Sequence, residues 1–126
     1  MVRNLIKHQR DRLREARIEE HVRPSRKTGR ELASSWRAYI QRFTSFPFVA
    51  TYVSYGSNGP FQPSAVVQVL GLAAEEHCDN TLMARVMDGH RSVLVPLAQL
   101  TPVDQVNPSL EATRDWRYWC MAQVNQ

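Results

Sequence analysis

The stretch TLMARVMDGHRSVLVPL, residues 81–97, decides the fold. TLMARVM and RSVLVPL are short runs dominated by apolar residues. Between them stands Asp88-Gly89, a dipeptide that marks a tight hairpin. Two strands are predicted to meet here, the second closing at Pro96. Upstream, AVVQVLGL (65–72) reads as an almost wholly apolar strand, and FPFVATYVSY (46–55) as another, rich in β-branched and aromatic residues. The intervening GSNGPFQPS is turn-rich, and AAEEHCDN (73–80) is a mostly polar connection. Downstream, Ala98 to Leu100 forms a short turn into TPVDQV (101–106). Several short strands with frequent turn signals predict a small barrel or sandwich.

Helices flank this region. Thr28 and Glu31 have capping-box spacing. Leu32, Trp36, Tyr39, Ile40 and Phe43 then recur at i, i+4, i+7, i+8 and i+11, one apolar stripe facing a core. At the other end Asn107 caps a helix that Pro108 opens, with Ala112, Trp116, Trp119 and Cys120 on one stripe. The three tryptophans, all on these stripes, are expected to pack between the helices and the sheet. Residues 2–20 predict a third helix, poorly amphipathic and in need of a partner surface. HVRPSRKT (21–28) reads as a linker broken by Pro24. The predicted organisation is a basic arm, residues 1–27, and a domain, residues 28–126.

The 126 residues carry a net charge of +4, unevenly spread. Residues 1–30 hold ten Lys/Arg and four acids; residues 31–126 hold six Arg and eight acids. On a helix Arg3, Lys7, Arg10, Arg14 and Arg17 share one face, and Arg23, Arg26, Lys27 and Arg30 follow. Such density suits phosphate contacts that need no sequence code. No run of about 20 apolar residues exists, which excludes a helical membrane span. The charged N-terminus lacks the apolar core of a secretory leader, so a cytoplasmic setting is expected. Two cysteines, Cys78 and Cys120, are too few for a disulfide framework and read as free thiols. Adjacent His77 and Cys78 make a poor start for tetrahedral zinc. No nucleophile elbow and no phosphate-cradling glycine loop is present, so the chain is not expected to be an enzyme.

From Trp36 to Trp119 the sequence resembles the CcbP-type calcium-binding protein family. The resemblance rests on Trp36-x-x-Tyr39, Phe46-Pro47-Phe48-x-Ala50 and Val67-x-Val69-x-Gly71-Leu72-Ala73-x-Glu75 with Cys78. It continues through Val93-x-Val95-Pro96-Leu97-x-x-Leu100 and Asp115-Trp116-x-Tyr118-Trp119. It implies an α+β fold with a small SH3-like β-barrel, about residues 44–106, flanked by helices. It also implies Ca²⁺ binding through surface carboxylates. Calcium takes about six to eight oxygen ligands, and no EF-hand spacing is present. Two groups are candidates: Glu75, Glu76 and Asp79 with Asn80 in one loop, and Glu111 and Asp115, four apart on one helix face.

The charge pattern and the resemblance predict different functions. The leading expectation is a non-enzymatic accessory module whose arm, residues 1–30, contacts nucleic acid or a nucleoprotein complex. The alternatives are a calcium-binding protein using the carboxylates above, and an adaptor within a larger protein complex whose acidic partner meets the arm.

Overall fold

The computed structural model describes residues 10–53, 61–62, 64–74 and 81–124. Alternation builds the sheet. In β1 (Phe48–Tyr52), Phe48, Ala50 and Tyr52 point inward while Val49 faces solvent. β2 (Val66–Leu72) runs antiparallel to β1, placing Ala50 opposite Val67. β2 also pairs with β3 (Met83–Asp88), and there the register slips between Val69 and Gly71, so that Leu70 is the extra residue of a bulge. The bulge resets the alternation: Val67 and Val69 are buried before it, and Leu72 after it. β3 and β4 (Arg91–Pro96) form the expected hairpin, closed by the pair Asp88–Arg91. Gly89 has φ +63° at the first position of the two-residue turn, where a residue with a Cβ would be strained.

A 3₁₀ turn, Leu97–Gln99, then carries the chain to β5 (Leu100–Pro102), which pairs with β1. The strand order is β4-β3-β2-β1-β5. Among the described residues this is an open five-stranded antiparallel sheet, and the small SH3-like barrel expected from the sequence is not confirmed. Closure would need a further ladder between the outer edges of β4 and β5, and the described residues form none.

Three helices complete the α+β fold: α1 (Arg12–His21), α2 (Gly29–Phe43) and α3 (Glu111–Val124). Trp36, Tyr39 and Ile40 of the predicted α2 stripe are buried, while Phe43 stays exposed. Thr28 occupies the N-cap of α2, but its side chain makes no capping bond, so the expected capping box is absent. Asn107 does cap: its Oδ1 accepts from the Ser109 amide at 3.0 Å at the 3₁₀ turn that leads into α3. Trp36 meets Trp116 edge-on with ring centres 5.1 Å apart, and Trp119 at 6.1 Å. The tryptophans are thus core, as expected. No helix among the described residues is long and apolar enough to cross a membrane.

The N-terminal segment differs from its predicted form. Residues 1–9, with Arg3 and Lys7, lie outside the described residues. Ile18 and Val22 of the supposed arm and linker are buried in the same core cluster as Trp36 and Trp116. Lys27 Nζ donates to the Val22 carbonyl at 2.9 Å and to Ser35 Oγ at 2.7 Å, tying the connection to α2. The poorly amphipathic helix has found its partner surface in its own chain. Two alanine variants measure this. Ile18→Ala is expected to cost about 2–4 kcal/mol in urea unfolding. Leu13→Ala, on the exposed side of α1, should stay within about 0.5 kcal/mol of the parent. Equal effects would mean that α1 does not dock.

Candidate functional site

The helical spacing that places Arg14 and Arg17 on one face of α1 also decides where that face goes. Glu111 and Asp115 lie one turn apart on α3, so each helix offers a stripe of one sign. The two stripes meet. Asp11 caps α1, its Oδ1 accepting from the Arg14 amide at 3.0 Å, and its own amide donates to the Tyr118 hydroxyl at 2.8 Å. That hydroxyl in turn donates to Glu15 Oε2 at 2.6 Å.

Asp115 is the centre of the contact and is 0% exposed. Its Oδ1 accepts from Arg14 Nη1 and from Arg17 Nη2, both at 2.7 Å. Its Oδ2 accepts from Arg17 Nε at 2.9 Å and from the Tyr39 hydroxyl at 2.6 Å. Three elements, α1, α2 and α3, converge on one carboxylate. Glu111 lies beside it: Oε2 is 3.5 Å from Arg14 Nη2 and from Arg17 Nη2, and Oε1 is 3.0 Å from Arg114 Nη1. Hydrogen bonding to Asp115 holds the Arg17 guanidinium above its already high range. Burial, and then the bond to Asp115, push the Tyr39 phenol up. The Arg14 amide lowers Asp11, and the Tyr118 hydroxyl lowers Glu15. Burial pushes the Cys120 thiol up to about 12, the behaviour of an inert core thiol.

This geometry tests the expected metal ligands on α3. A carboxylate offers about four lone-pair sites, and four donors already fill those of Asp115. Glu111 is surrounded by three guanidinium groups, whose field repels a divalent cation. These two residues do not fit a calcium ion in this conformation. The other candidates, Glu75, Glu76 and Asp79, lie outside the described residues, as does Asn80. The roots of their loop are described. The Ala73 amide donates to the Met83 carbonyl at 2.8 Å, and Arg37 Nη1 donates to the Ala73 carbonyl at 2.5 Å. The loop thus leaves and re-enters the fold across one closed rung. Among the described residues no three His, Cys, Asp or Glu side chains cluster as a metal site.

The expected phosphate-binding residues are placed as follows. Arg10 pairs with Glu15 at 3.0 Å, while Arg14 and Arg17 hold Asp115 and Glu111. Lys27 is fastened to α2. Arg23, Arg26 and Arg30 are exposed. The Arg–Asp115 clasp itself was not predicted. Its partners stand about a hundred positions apart in sequence, and the only early signal was the matching i, i+4 spacing of Glu111 and Asp115.

Comparison with known proteins gives a consistent answer. A CcbP family model, described as calcium binding, matches residues 16–120. The crystal structure of CcbP from Anabaena superposes with a TM-score of 0.75 and 27% identity, over 90% of this chain and 93% of that one. A second structure, a calcium binding protein in the calcium-binding form, gives a TM-score of 0.76 at 26% identity, over 93% and 95%. No curated protein matches the sequence. These findings overturn the leading expectation of a nucleic-acid-contacting accessory module. The physical reason lies in α1, whose basic face is turned onto the acids of α3 and answered by them.

Two measurements probe the clasp. Asp115→Ala leaves two guanidinium groups facing an empty, buried position and is expected to cost about 3 kcal/mol or more, against about 1.5–3 kcal/mol for Tyr39→Phe; urea midpoints decide. Stability should also follow pH with a defined sign. Asp11 and Glu15 are depressed below their ordinary values of 3.8 and 4.5, so their contribution is full above those values and is lost as pH falls through the lower folded ones. Tyr39 is raised above 10, so its contribution is full below pH 10 and fades above it. A plateau in the urea midpoint between about pH 5 and 10, falling on both sides, is the expected profile.

Proposed function

We propose that this chain, which belongs to the CcbP family, is a calcium-binding protein, and that it takes the ion at the loop between β2 and β3 and not on α3. The observation that carries the location is the saturation of Asp115 by Arg14, Arg17 and Tyr39. It leaves Glu75, Glu76 and Asp79, which lie outside the described residues, as the remaining acidic candidates.

The chemistry of that set fits. Three carboxylates and the Asn80 amide oxygen fall within six consecutive residues. Carboxylate and carbonyl oxygens are the donors a hard cation prefers, and backbone carbonyls and water complete a shell of about six to eight. A bound ion supplies two positive charges where three like charges crowd together. The rung between Ala73 and Met83 and the anchor from Arg37 fix the ends of the loop, so its carboxylates need not be gathered from distant parts of the fold. The positive charge of the chain does not oppose this reading. It is concentrated in residues 1–30, where Arg14 and Arg17 are spent on α3.

The test is calorimetric titration of the chelator-treated full-length protein with Ca²⁺. The full chain is required because Ile18 and Val22 belong to the core. Saturable binding is expected, with a gain of about 2.7 kcal/mol in unfolding free energy at a calcium concentration one hundred times Kd. Glu75→Gln combined with Asp79→Asn should abolish it, and Glu111→Gln should leave it in place. Absence of binding overturns the calcium reading. Binding lost in Glu111→Gln and kept in the loop variant overturns the location alone.

A further inference from the structure

A groove of about 600 Å³ lies between α3 and β5, bordered by the turn after β5 and the start of α1. Its volume is in the range of small-molecule sites, about 300–1,000 Å³. The calcium reading makes no use of it. Arg114, Arg117 and Met121 reach it from one face of α3, at i, i+3 and i+7. Leu100 and Pro102 supply apolar wall from β5. Glu111 is its sole acidic lining residue among those described.

The side chains are held, not loose. Arg117 Nη1 donates to Thr101 Oγ1 at 2.7 Å. Arg114 bridges Glu111 Oε1 at 3.0 Å and the Asp104 carbonyl. The wall therefore carries Arg114 and Arg117 against one carboxylate, which Arg17 outside the groove also shares; Arg14 borders the groove too, but its charge is met by Asp115 and Glu111. A cavity with a positive polar side and an apolar side is matched by an amphipathic anion. The planar fork of arginine suits carboxylate and phosphate oxygens equally, and the flexible thioether of Met121 accommodates an aliphatic body.

We infer that this groove binds a small amphipathic anion, with a carboxylate or phosphate head at Arg114 and Arg117 and an aliphatic tail against Leu100, Pro102 and Met121. The inference rests on the groove and stands apart from the calcium site. Positively charged concave surfaces gather anions from solution before any contact is made, so the head group directs entry and the tail adds affinity.

The probes are octanoate, octyl phosphate, octanol and acetate, titrated into the full-length protein and followed by amide chemical shifts. Saturable shifts at Thr101 and along 114–121 are expected with octanoate or octyl phosphate. Octanol, without charge, and acetate, without tail, should bind at least tenfold more weakly. Arg117→Gln should weaken binding about tenfold, and Met121→Trp should block it by filling the groove. Arg91→Gln, at the opposite edge of the sheet, should leave it unchanged. Thermal melts confirm that each variant is folded, and Arg114→Gln, the other head-group arginine, replaces Arg117→Gln if that variant is not. Lack of saturation with both anions overturns the inference. So does octanol binding as tightly as octanoate, or full affinity in Met121→Trp.

Discussion

The carboxylate of Asp115 holds the helical layer of this protein together. It is withdrawn from water on α3 and answered by two arginines of α1 and a tyrosine of α2. Removing a charge from water costs several kcal/mol, and only near-complete coordination offsets it. Here each oxygen takes two short donors. The remaining features follow from that requirement. Tyr39 must sit one turn beyond Trp36 so that its hydroxyl reaches α3 while its ring stays in the core. Trp116, the next residue after Asp115, must turn the other way to meet Trp36. The helix α1, with few apolar residues, is fastened by Ile18 and Val22 below and by charge above.

The clasp also explains how a basic chain belongs to a calcium-binding family. Net charge says little when the charges are segregated. The excess lies in the first thirty residues, and two of its arginines, Arg14 and Arg17, are folded against acids that would otherwise compete for cations. Guanidinium and calcium are rival partners for a carboxylate. Arginine prefers a planar, hydrogen-bonded pairing that can be buried, whereas calcium prefers many oxygens and tolerates water. On α3 the pairing is with arginine. In the loop between β2 and β3 the sequence places three acids within five positions, and the next arginine along the chain is Arg85.

Much of the sheet was legible in the sequence because strands are written locally. Alternation in FVATY, the apolar run VVQVLGL and the turn at Asp88-Gly89 each reported an element that forms. The α2 stripe and the tryptophan positions were equally plain. What sequence could not report was pairing at a distance. Whether five strands close depends on which edges meet, and among the described residues the outer edges of β4 and β5 form no ladder. The bulge at Leu70 shifts burial by one residue, and its one local signal, Gly71 inside the strand, was not read as a bulge. The capping spacing of Thr28 and Glu31 was present, yet the side-chain bond is not made.

The arm was misread for a related physical reason. Within a helix, ion pairs are limited to neighbours at i+3 and i+4, and by that count most of the arginines had no acid to meet. The unpaired excess then looked like a surface waiting for phosphate. The acids existed, but on α3. A stripe of one sign on a helix with a weak apolar face carries two meanings, an external polyanion or an internal acidic stripe, and composition cannot separate them. The spacing can contribute. Glu111 and Asp115 match the step from Arg14 to Arg17 closely enough for two antiparallel or crossed helices to zip, and Ile18 adjoins that basic face with an apolar residue that needs cover. A poorly amphipathic charged helix should therefore be searched first against complementary stripes in its own chain, because an intramolecular partner needs no loss of translational freedom to bind.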